Sequence, residues 1–190
     1  MKQRAPQDEM NLFAPNTPGV EIFLDIETLR LSSEVAGGWS KIREFGLALA
    51  VTWDAKNAFR AWLEPEAAAL ISELAAFSRV VTFNGDRFDF EVLSAYGSTE
   101  SVRKKSFDVL ADLYRKLGFR VKLDDLARAT LGTKKSGSGL DAVKWWREGK
   151  IDEVRKYCEM DVAILRDIVT HGRNNGFVVV DAKRIQVEWS

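Results

Sequence analysis

Apolar and polar positions in the first half of the chain follow the pattern of buried strands. Four runs are either continuously apolar or alternate between apolar and polar residues. They cover residues 20–26, 45–53, 57–63 and 79–83. The short polar connection DAKN joins the second and third runs, which predicts a β-hairpin at that point.

Helical spacing of apolar residues dominates the remainder of the chain. Helices are predicted over 64–78, 86–97, 107–118, 123–132, 140–148, 150–157 and 159–173, and a C-terminal β-hairpin over 177–189. Three strands, then strand–helix alternation, then a helical layer are typical of an α/β domain with a mixed sheet.

Domain boundaries follow from the same pattern. Residues 1–18 contain three of the four prolines and little periodicity, which predicts a flexible N-terminal tail. We expect residues 19–174 to form one domain and residues 175–190 to pack on it as the hairpin. The chain of 190 residues is long enough to bury a sizeable core.

Charge and cysteine content narrow the class of protein. Lysine plus arginine and aspartate plus glutamate are equal at 28 each. This balance counts against a protein that coats nucleic acid through bulk charge, but not against an enzyme with one small site. The single cysteine, Cys158, excludes an intramolecular disulfide, and no zinc-binding spacing is present. No apolar run approaches the length of a membrane span, so we expect a cytoplasmic protein without membrane contact.

Four carboxylates occur in segments that are otherwise apolar. Asp25 and Glu27 lie two residues apart on the first strand and so share one face of the sheet. Asp89 lies in the first turn of the helix after the fourth strand, and Asp161 shares a helix face with Tyr157. Neighbouring buried carboxylates repel each other, and hard divalent cations prefer oxygen ligands. The pattern therefore predicts a site for divalent metal ions.

Three segments resemble the exonuclease motifs of the DEDD superfamily of 3′→5′ exonucleases. They are FLDIET, FNGDRFDFEVL and YCEMDVAIL. The spacing of Tyr157 and Asp161 is similar to that of the tyrosine-type subgroup, since Lys156 stands where the histidine-type subgroup has a histidine. YCEMD resembles the proofreading domains of family B DNA polymerases, and REGKIDEVRKYCEMDV resembles the YprB-like ribonuclease H-like group. The resemblance covers about residues 20–172 in order and spacing.

This resemblance implies a fold and a metal site. The fold would be an RNase H-like three-layer domain, with a central mixed five-stranded sheet flanked by helices. Asp25 would bridge two Mg²⁺ or Mn²⁺ ions. Glu27 and Asp161 would complete the metal on the nucleophile side, and Asp89 would hold the second ion through water. Tyr157 would orient the attacking water.

The resemblance also implies a substrate. Thr28, Asn84 and Phe88 would lie near the terminal nucleotide, and the activity would be two-metal hydrolysis of single-stranded nucleic acid from its 3′ end. Single-stranded DNA is favoured because of the polymerase-like YCEMD, and RNA is the alternative. Two other classes stay open: a catalytically idle nucleic-acid-binding module, and an endonuclease of the broader RNase H-like class.

Other polar residues are expected to serve the fold. Asp86 and Asp108 are predicted to cap the helices over 86–97 and 107–118. Cys158 is predicted to point away from the site into the core. The basic residues at 103–105 and 134–135 are expected to lie in two loops that flank a groove for the nucleic-acid backbone.

Overall fold

The computed structural model describes residues 21–133 and 139–189. The tail predicted over 1–18 and the basic residues Lys134 and Lys135 lie outside these ranges. Within the described ranges, no helix combines the length and the apolar character needed to cross a membrane.

A five-stranded mixed sheet forms the centre of the fold, as predicted. Its strands are β1 (Glu21–Thr28), β2 (Leu47–Asp54), β3 (Ala58–Leu63), β4 (Arg79–Thr82) and β5 (Ser106–Asp108). They are ordered β3-β2-β1-β4-β5. The first three strands pair antiparallel, and β4 and β5 continue the sheet in parallel from β1. The two-residue repeat of β1 turns Ile22, Leu24 and Ile26 to one face and Phe23 to the other.

Helices cover both faces of this sheet. They are α1 (Ala67–Ala76), α2 (Asp89–Leu93), α3 (Glu100–Arg103), α4 (Val109–Leu117), α5 (Leu123–Leu131), α6 (Gly139–Arg147) and α7 (Ile151–Asn175). Short 3₁₀ segments span Ser32–Glu34, Gly38–Glu44 and Glu64–Glu66. One buried cluster joins α1, α2 and α3 to the sheet, and a second joins α4, α5 and α7 to its other face. This arrangement confirms the predicted three-layer architecture, in which helices cover both faces of a mixed five-stranded sheet.

The C-terminal hairpin is also confirmed. It consists of β6 (Phe177–Val180) and β7 (Lys183–Gln186), paired antiparallel. Val178, Val180 and Val187 belong to the same buried cluster as α5 and α7. Trp189 packs edge-on against Phe107 of β5, with ring centroids 5.8 Å apart. Apolar packing therefore attaches the hairpin to the helical layer that lies over one face of the sheet.

Three predicted elements differ from the structure, and helix α3 lies where the loop that carries Arg103 was predicted. The helix predicted over 86–97 is shorter, because residues 85–88 form turns before α2 begins at Asp89. Phe107 and Asp108, predicted as the start of a helix, belong to strand β5, which forms through parallel pairing with β4. The two helices predicted over 150–157 and 159–173 are one continuous helix, α7, because no glycine or proline interrupts residues 151–171.

Candidate active site

Strand β1 presents Asp25 and Glu27 on the face that α7 covers. Both share their face with Phe23, which packs in the same buried cluster as the α7 side chains. The Glu27 side chain is buried, and Asp25 is half-buried. The pairing with β2 shifts register between Glu27 and Thr28, a bulge-like irregularity that ends the regular ladder beside the two acids.

Helix α7 brings three polar residues against β1. Tyr157, Cys158 and Asp161 are all buried and follow the spacing of one helical stripe. Cys158 Sγ lies 3.3 Å from the Asp25 carbonyl oxygen and 3.3 Å from Asp25 Oδ2. The prediction that Cys158 points away from the site is therefore wrong, although its burial is confirmed. The cause is the spacing of three residues to Asp161, which turns the thiol toward the same strand.

One carboxylate oxygen each of Asp25 and Glu27 and the Sγ atom of Cys158, all of which could bind a metal ion, lie within 4.8 Å of one another. Burial raises the pKa of the Cys158 thiol well above its usual range, and the charges of Asp25, Glu27 and Asp161 raise it further. The thiol is therefore protonated and can donate its S–H to Asp25. Because Cys158 and Asp161 lie on the same stripe of α7, the contact of Cys158 with Asp25 brings the third motif against the first.

Asp89 adds a fourth carboxylate from α2, whose apolar residues pack on the other face of the sheet from α7. It is the first residue of α2 and is buried. Burial raises its pKa well above the ordinary value, and the nearby charges of Asp25, Asp108 and Asp86 raise it further. Strand β4, which leads into the second motif, pairs in parallel with β1 and so places this motif beside the first.

The turn before Asp89 combines an unusual backbone conformation with hydrogen bonds from its N–H groups to the Asp108 carboxylate. Asn84 adopts the left-handed region with φ +76°. Gly85 has no room for a side chain, since a Cβ there would meet Thr82 Oγ1 at 2.4 Å. Asp108 accepts hydrogen bonds from the backbone N–H groups of Asn84 at 2.8 Å and Asp86 at 3.2 Å.

The two predicted caps have different outcomes. Asp108 caps α4 by accepting from Ala111 N at 3.1 Å, as predicted, while it also anchors the turn at residues 84–86. Burial raises the pKa of Asp108, against the effect of these hydrogen bonds. The prediction for Asp86 is wrong, because α2 starts three residues later and has no side-chain cap.

The Tyr157 ring is fixed by an aromatic neighbour. It packs edge-on against Trp145 of α6, with centroids 6.0 Å apart and planes at 69°. Trp145 and Trp146 are both half-buried against the cluster that contains α7. Tyr157 therefore packs on α6 while it shares a stripe of α7 with Cys158 and Asp161.

The implied substrate residues line two adjoining cavities. Thr28 and Phe88 line a cavity of about 380 Å³ together with Glu27. Asn84 lines a neighbouring cavity of about 290 Å³, which shares Phe88 with the first. Trp39 lines both cavities, and the sequence pattern did not single it out. Its one signal was a tryptophan in an otherwise polar segment, GGWSKIRE.

The basic residues at 103–105 are used within the fold. Arg103 pairs with Glu91 at 3.1 Å and donates to the Asp86 carbonyl oxygen at 2.6 Å. Lys104 pairs with Glu100 on the surface, and Lys105 Nζ donates to a backbone carbonyl oxygen of α1. This arrangement favours a structural role for the segment over the predicted contact with a nucleic-acid backbone.

The donor set at the site fits divalent cations. The carboxylates come from β1, α2 and α7, and burial first and the neighbouring carboxylates second raise the pKa of Asp89, so its ionised form needs a cation nearby. Carboxylate oxygens are ligands that Mg²⁺ and Mn²⁺ prefer. The Cys158 sulfur is the one soft atom in this cluster of the described residues.

Comparisons with a protein family and with a solved polymerase structure agree with this architecture. A family described as the RNase_H superfamily matches residues 22–174. The family B DNA polymerase from the hyperthermophilic archaeon Pyrobaculum calidifontis has a similar fold, with a TM-score of 0.58 at 11% identity over 81% of this chain. Exonuclease I in its apo form aligns over 81% of this chain, with a TM-score of 0.44 at 11% identity. The chain spans 24% of the polymerase chain and 42% of the exonuclease I chain. No protein of curated function matches it.

Proposed function

We propose that this chain, which belongs to the RNase H superfamily, is a metal-dependent 3′→5′ exonuclease of single-stranded nucleic acid. Membership of the superfamily supports a nuclease that hydrolyses phosphodiester bonds. The direction of attack, the single-stranded substrate and the metal requirement are the proposal. The observation that carries it is the buried contact of Asp25 and Glu27 of β1 with Cys158 of α7, on the helix that also carries buried Tyr157 and Asp161.

Four carboxylates would hold the metal ions. We assign Asp25, Glu27 and Asp161 to an ion on the nucleophile side, and Asp25 with Asp89 to a second ion. Two bound Mg²⁺ or Mn²⁺ ions would stabilise the negative charge that develops on the attacking and leaving oxygens of the phosphodiester. The Cys158 S–H holds the Asp25 carboxylate in place, so that this acid faces the site.

Tyr157 is the residue that would position water. A phenolic hydroxyl can donate one hydrogen bond and accept another, which is what a water molecule needs to be held in one orientation. The ring packs on Trp145 and is almost fully buried, so its hydroxyl has little freedom. Holding the nucleophile in an orientation suited to attack removes part of the entropic barrier.

The terminal nucleotide would lie in the cavity of about 380 Å³ that Thr28, Phe88 and Glu27 line. Phe88 offers an apolar surface for a base or sugar, and the turn held by Asp108 fixes its position. Glu27 lines this cavity and also belongs to the cluster that contains Asp25. A nucleotide in the cavity would therefore present its phosphodiester to these acids. DNA is favoured over RNA because YCEMD resembles the polymerase proofreading domains.

Linear and circular single strands test the proposal. The purified protein would be incubated with Mg²⁺ and either a 5′-labelled linear single strand or a single-stranded circle. We expect a ladder of shortened linear products and intact circles. Cleaved circles would indicate an endonuclease, and no products on either substrate would leave a nucleic-acid-binding module. The same pair of substrates in RNA would decide between DNA and RNA.

A further inference from the structure

An exposed tryptophan is held rigidly beside the candidate active site. Trp39 lies in the 3₁₀ segment Gly38–Glu44, and 60% of its surface is exposed. Its indole packs edge-on against Phe45, with centroids 5.6 Å apart, and tilted against Phe88, with centroids 6.0 Å apart. An exposed ring fixed by two aromatic contacts presents a flat surface at little cost in side-chain entropy.

Trp39 and Phe88 separate the two cavities. On one side is the cavity of about 380 Å³ that reaches Glu27. On the other side is the cavity of about 290 Å³, lined by Trp39, Ile42, Asn84, Arg87, Phe88 and Arg120. Its volume is close to the lower end of the range of about 300–1,000 Å³ that is typical of small-ligand pockets.

Two arginines, Arg87 and Arg120, line the second cavity. Within residues 21–133 and 139–189, no ion pair involves Arg87 or Arg120, and both side chains are exposed. The Arg120 guanidinium donates to Asn84 Oδ1 at 2.6 Å, which directs it into the cavity. Nearby arginines are engaged instead: Arg103 pairs with Glu91 and Arg147 pairs with Glu34.

We propose that this second cavity, which we call the Trp39 subsite, binds the nucleotide that precedes the terminal one in a single strand. The Trp39 indole would stack on the base, and Arg87 and Arg120 would contact the backbone phosphates. This inference rests on the proposed function, since it extends the same site by one nucleotide.

The chemistry of the subsite matches this occupant. Aromatic platforms next to cationic groups are the usual means of holding single strands without reading their sequence. The planar guanidinium group suits phosphate oxygens, which accept two parallel hydrogen bonds. Lysine plus arginine equals aspartate plus glutamate over the whole chain, so the chain has no net positive charge to attract phosphates. This pair of arginines provides positive charge locally. A duplex would keep its bases stacked inside, so the exposed indole favours a single strand.

Binding measured without hydrolysis tests the subsite. The probe is an oligothymidylate of about 12 nucleotides, within the range of single-strand site sizes, with fluorescein on its 5′ end. Fluorescence anisotropy is measured in Ca²⁺, which satisfies oxygen ligands without the strict octahedral geometry of Mg²⁺. Electrophoresis checks that the probe stays intact, and each dissociation constant is measured over a series of salt concentrations.

The variants separate stacking from charge. Trp39→Ala should weaken binding on the order of 10-fold and leave the salt dependence unchanged, because stacking involves no phosphate. Trp39→Phe should restore most of the affinity. Arg87→Ala and Arg120→Ala should each weaken binding and reduce the slope of log affinity against log salt by about 0.7, the value for one phosphate contact on a single strand.

Lys56→Ala is the matched control. It removes one exposed positive charge from the turn between β2 and β3, at the opposite end of the sheet from Thr28. It should change neither the affinity nor the slope. Melting temperatures close to that of the unmodified protein would show that each variant is folded.

The outcomes distinguish this inference from the proposed function. If the unmodified protein shortens linear strands but Trp39→Ala, Arg87→Ala and Arg120→Ala all bind like Lys56→Ala, the subsite is refuted and the exonuclease proposal stands. Absence of binding by the unmodified protein would also overturn the subsite. If these variants lose binding while the unmodified protein hydrolyses nothing in Mg²⁺, the subsite stands and the proposed function fails.

Discussion

Cys158 Sγ lies 3.3 Å from Asp25 Oδ2, so a soft sulfur atom belongs to a cluster that is otherwise made of carboxylates. Hard cations such as Mg²⁺ do not seek sulfur, whereas softer cations such as Cd²⁺ bind it strongly. The geometry therefore gives Cys158 two consequences: it orients Asp25 for the hard ions, and it offers a ligand to soft ones.

Cys158→Ser tests both consequences. A hydroxyl keeps a donor to Asp25 but removes the soft ligand, so Cd²⁺ affinity should fall by at least about 10-fold while Mn²⁺ affinity changes much less. Isothermal titration calorimetry with each metal measures the difference. Equal losses for both metals would mean that the serine disturbs the site as a whole, and unchanged Cd²⁺ affinity would mean that the thiol does not reach the ion.

The acids should differ sharply in importance. Asp25→Asn and Asp161→Asn should each lower kcat by at least about 10²-fold, since each removes a charge from the proposed metal ligands. Asp86→Asn should cost little, because the Asp86 side chain is exposed and only its backbone holds the turn. Single-turnover rates on a linear single strand provide the measurement. Comparable losses for Asp86→Asn and Asp89→Asn would show that the second motif is assigned to the wrong acid.

Tyr157→Phe should separate positioning from metal binding. The phenyl ring keeps the contact with Trp145, so the free energy of unfolding should change by no more than about 1.5 kcal/mol even if a hydrogen bond is lost. Metal affinity should stay nearly unchanged, while kcat should fall about 10- to 10³-fold because water is no longer oriented. Calorimetric metal titration beside single-turnover rates shows the split. Wild-type rates for Tyr157→Phe would return this residue to a purely packing role.

Asp89 should make the metal-free protein sensitive to pH. Burial and neighbouring carboxylates raise its pKa in the folded state well above 3.8, so the folded chain holds this proton at higher pH than the unfolded chain does. The raised pKa of Asp89 therefore lowers the stability of the fold at neutral pH, and this cost is lost as the pH falls toward 3.8.

Melting temperatures of Asp89→Asn and the unmodified protein measure this penalty. In chelator at neutral pH the variant should be the more stable of the two, and its advantage should shrink on acidification. Saturating Mg²⁺ should reverse the order, because the variant loses a ligand. If the variant is no more stable than the unmodified protein at neutral pH in chelator, Asp89 carries no electrostatic penalty in the fold.

Local pattern predicted most of the fold. The two-residue period of β1 and the helical spacing of α1, α4 and α5 identified those elements because their own side chains determine which face is buried. Strand β5 was missed because its three residues are too short to show a period. It exists through pairing with β4, a contact between distant parts of the sequence.

Part of the site was predictable because the spacing along one strand or helix determines which side chains share a face. Spacing alone placed Asp25 and Glu27 on one face and Tyr157 and Asp161 on one stripe, and the structure brings these motifs together. Trp39, Arg87 and Arg120 come from three separate segments, and only the fold brings them to one cavity. The predicted orientation of Cys158 is wrong because adjacency to Tyr157 suggests a different helix face. The spacing of three residues to Asp161 instead turns the thiol toward β1.

The direction of hydrolysis is the most direct test of the central claim. The same single-stranded DNA is labelled at its 3′ end in one sample and at its 5′ end in another, and both are followed with Mg²⁺ from the first turnover. We predict that the 3′ label leaves at once as a nucleoside monophosphate while the 5′ label moves down a ladder of shortening strands. Chelator and Asp161→Asn should each suppress both. Release of the 5′ label first, or unchanged hydrolysis in excess chelator, would contradict a metal-dependent 3′→5′ exonuclease.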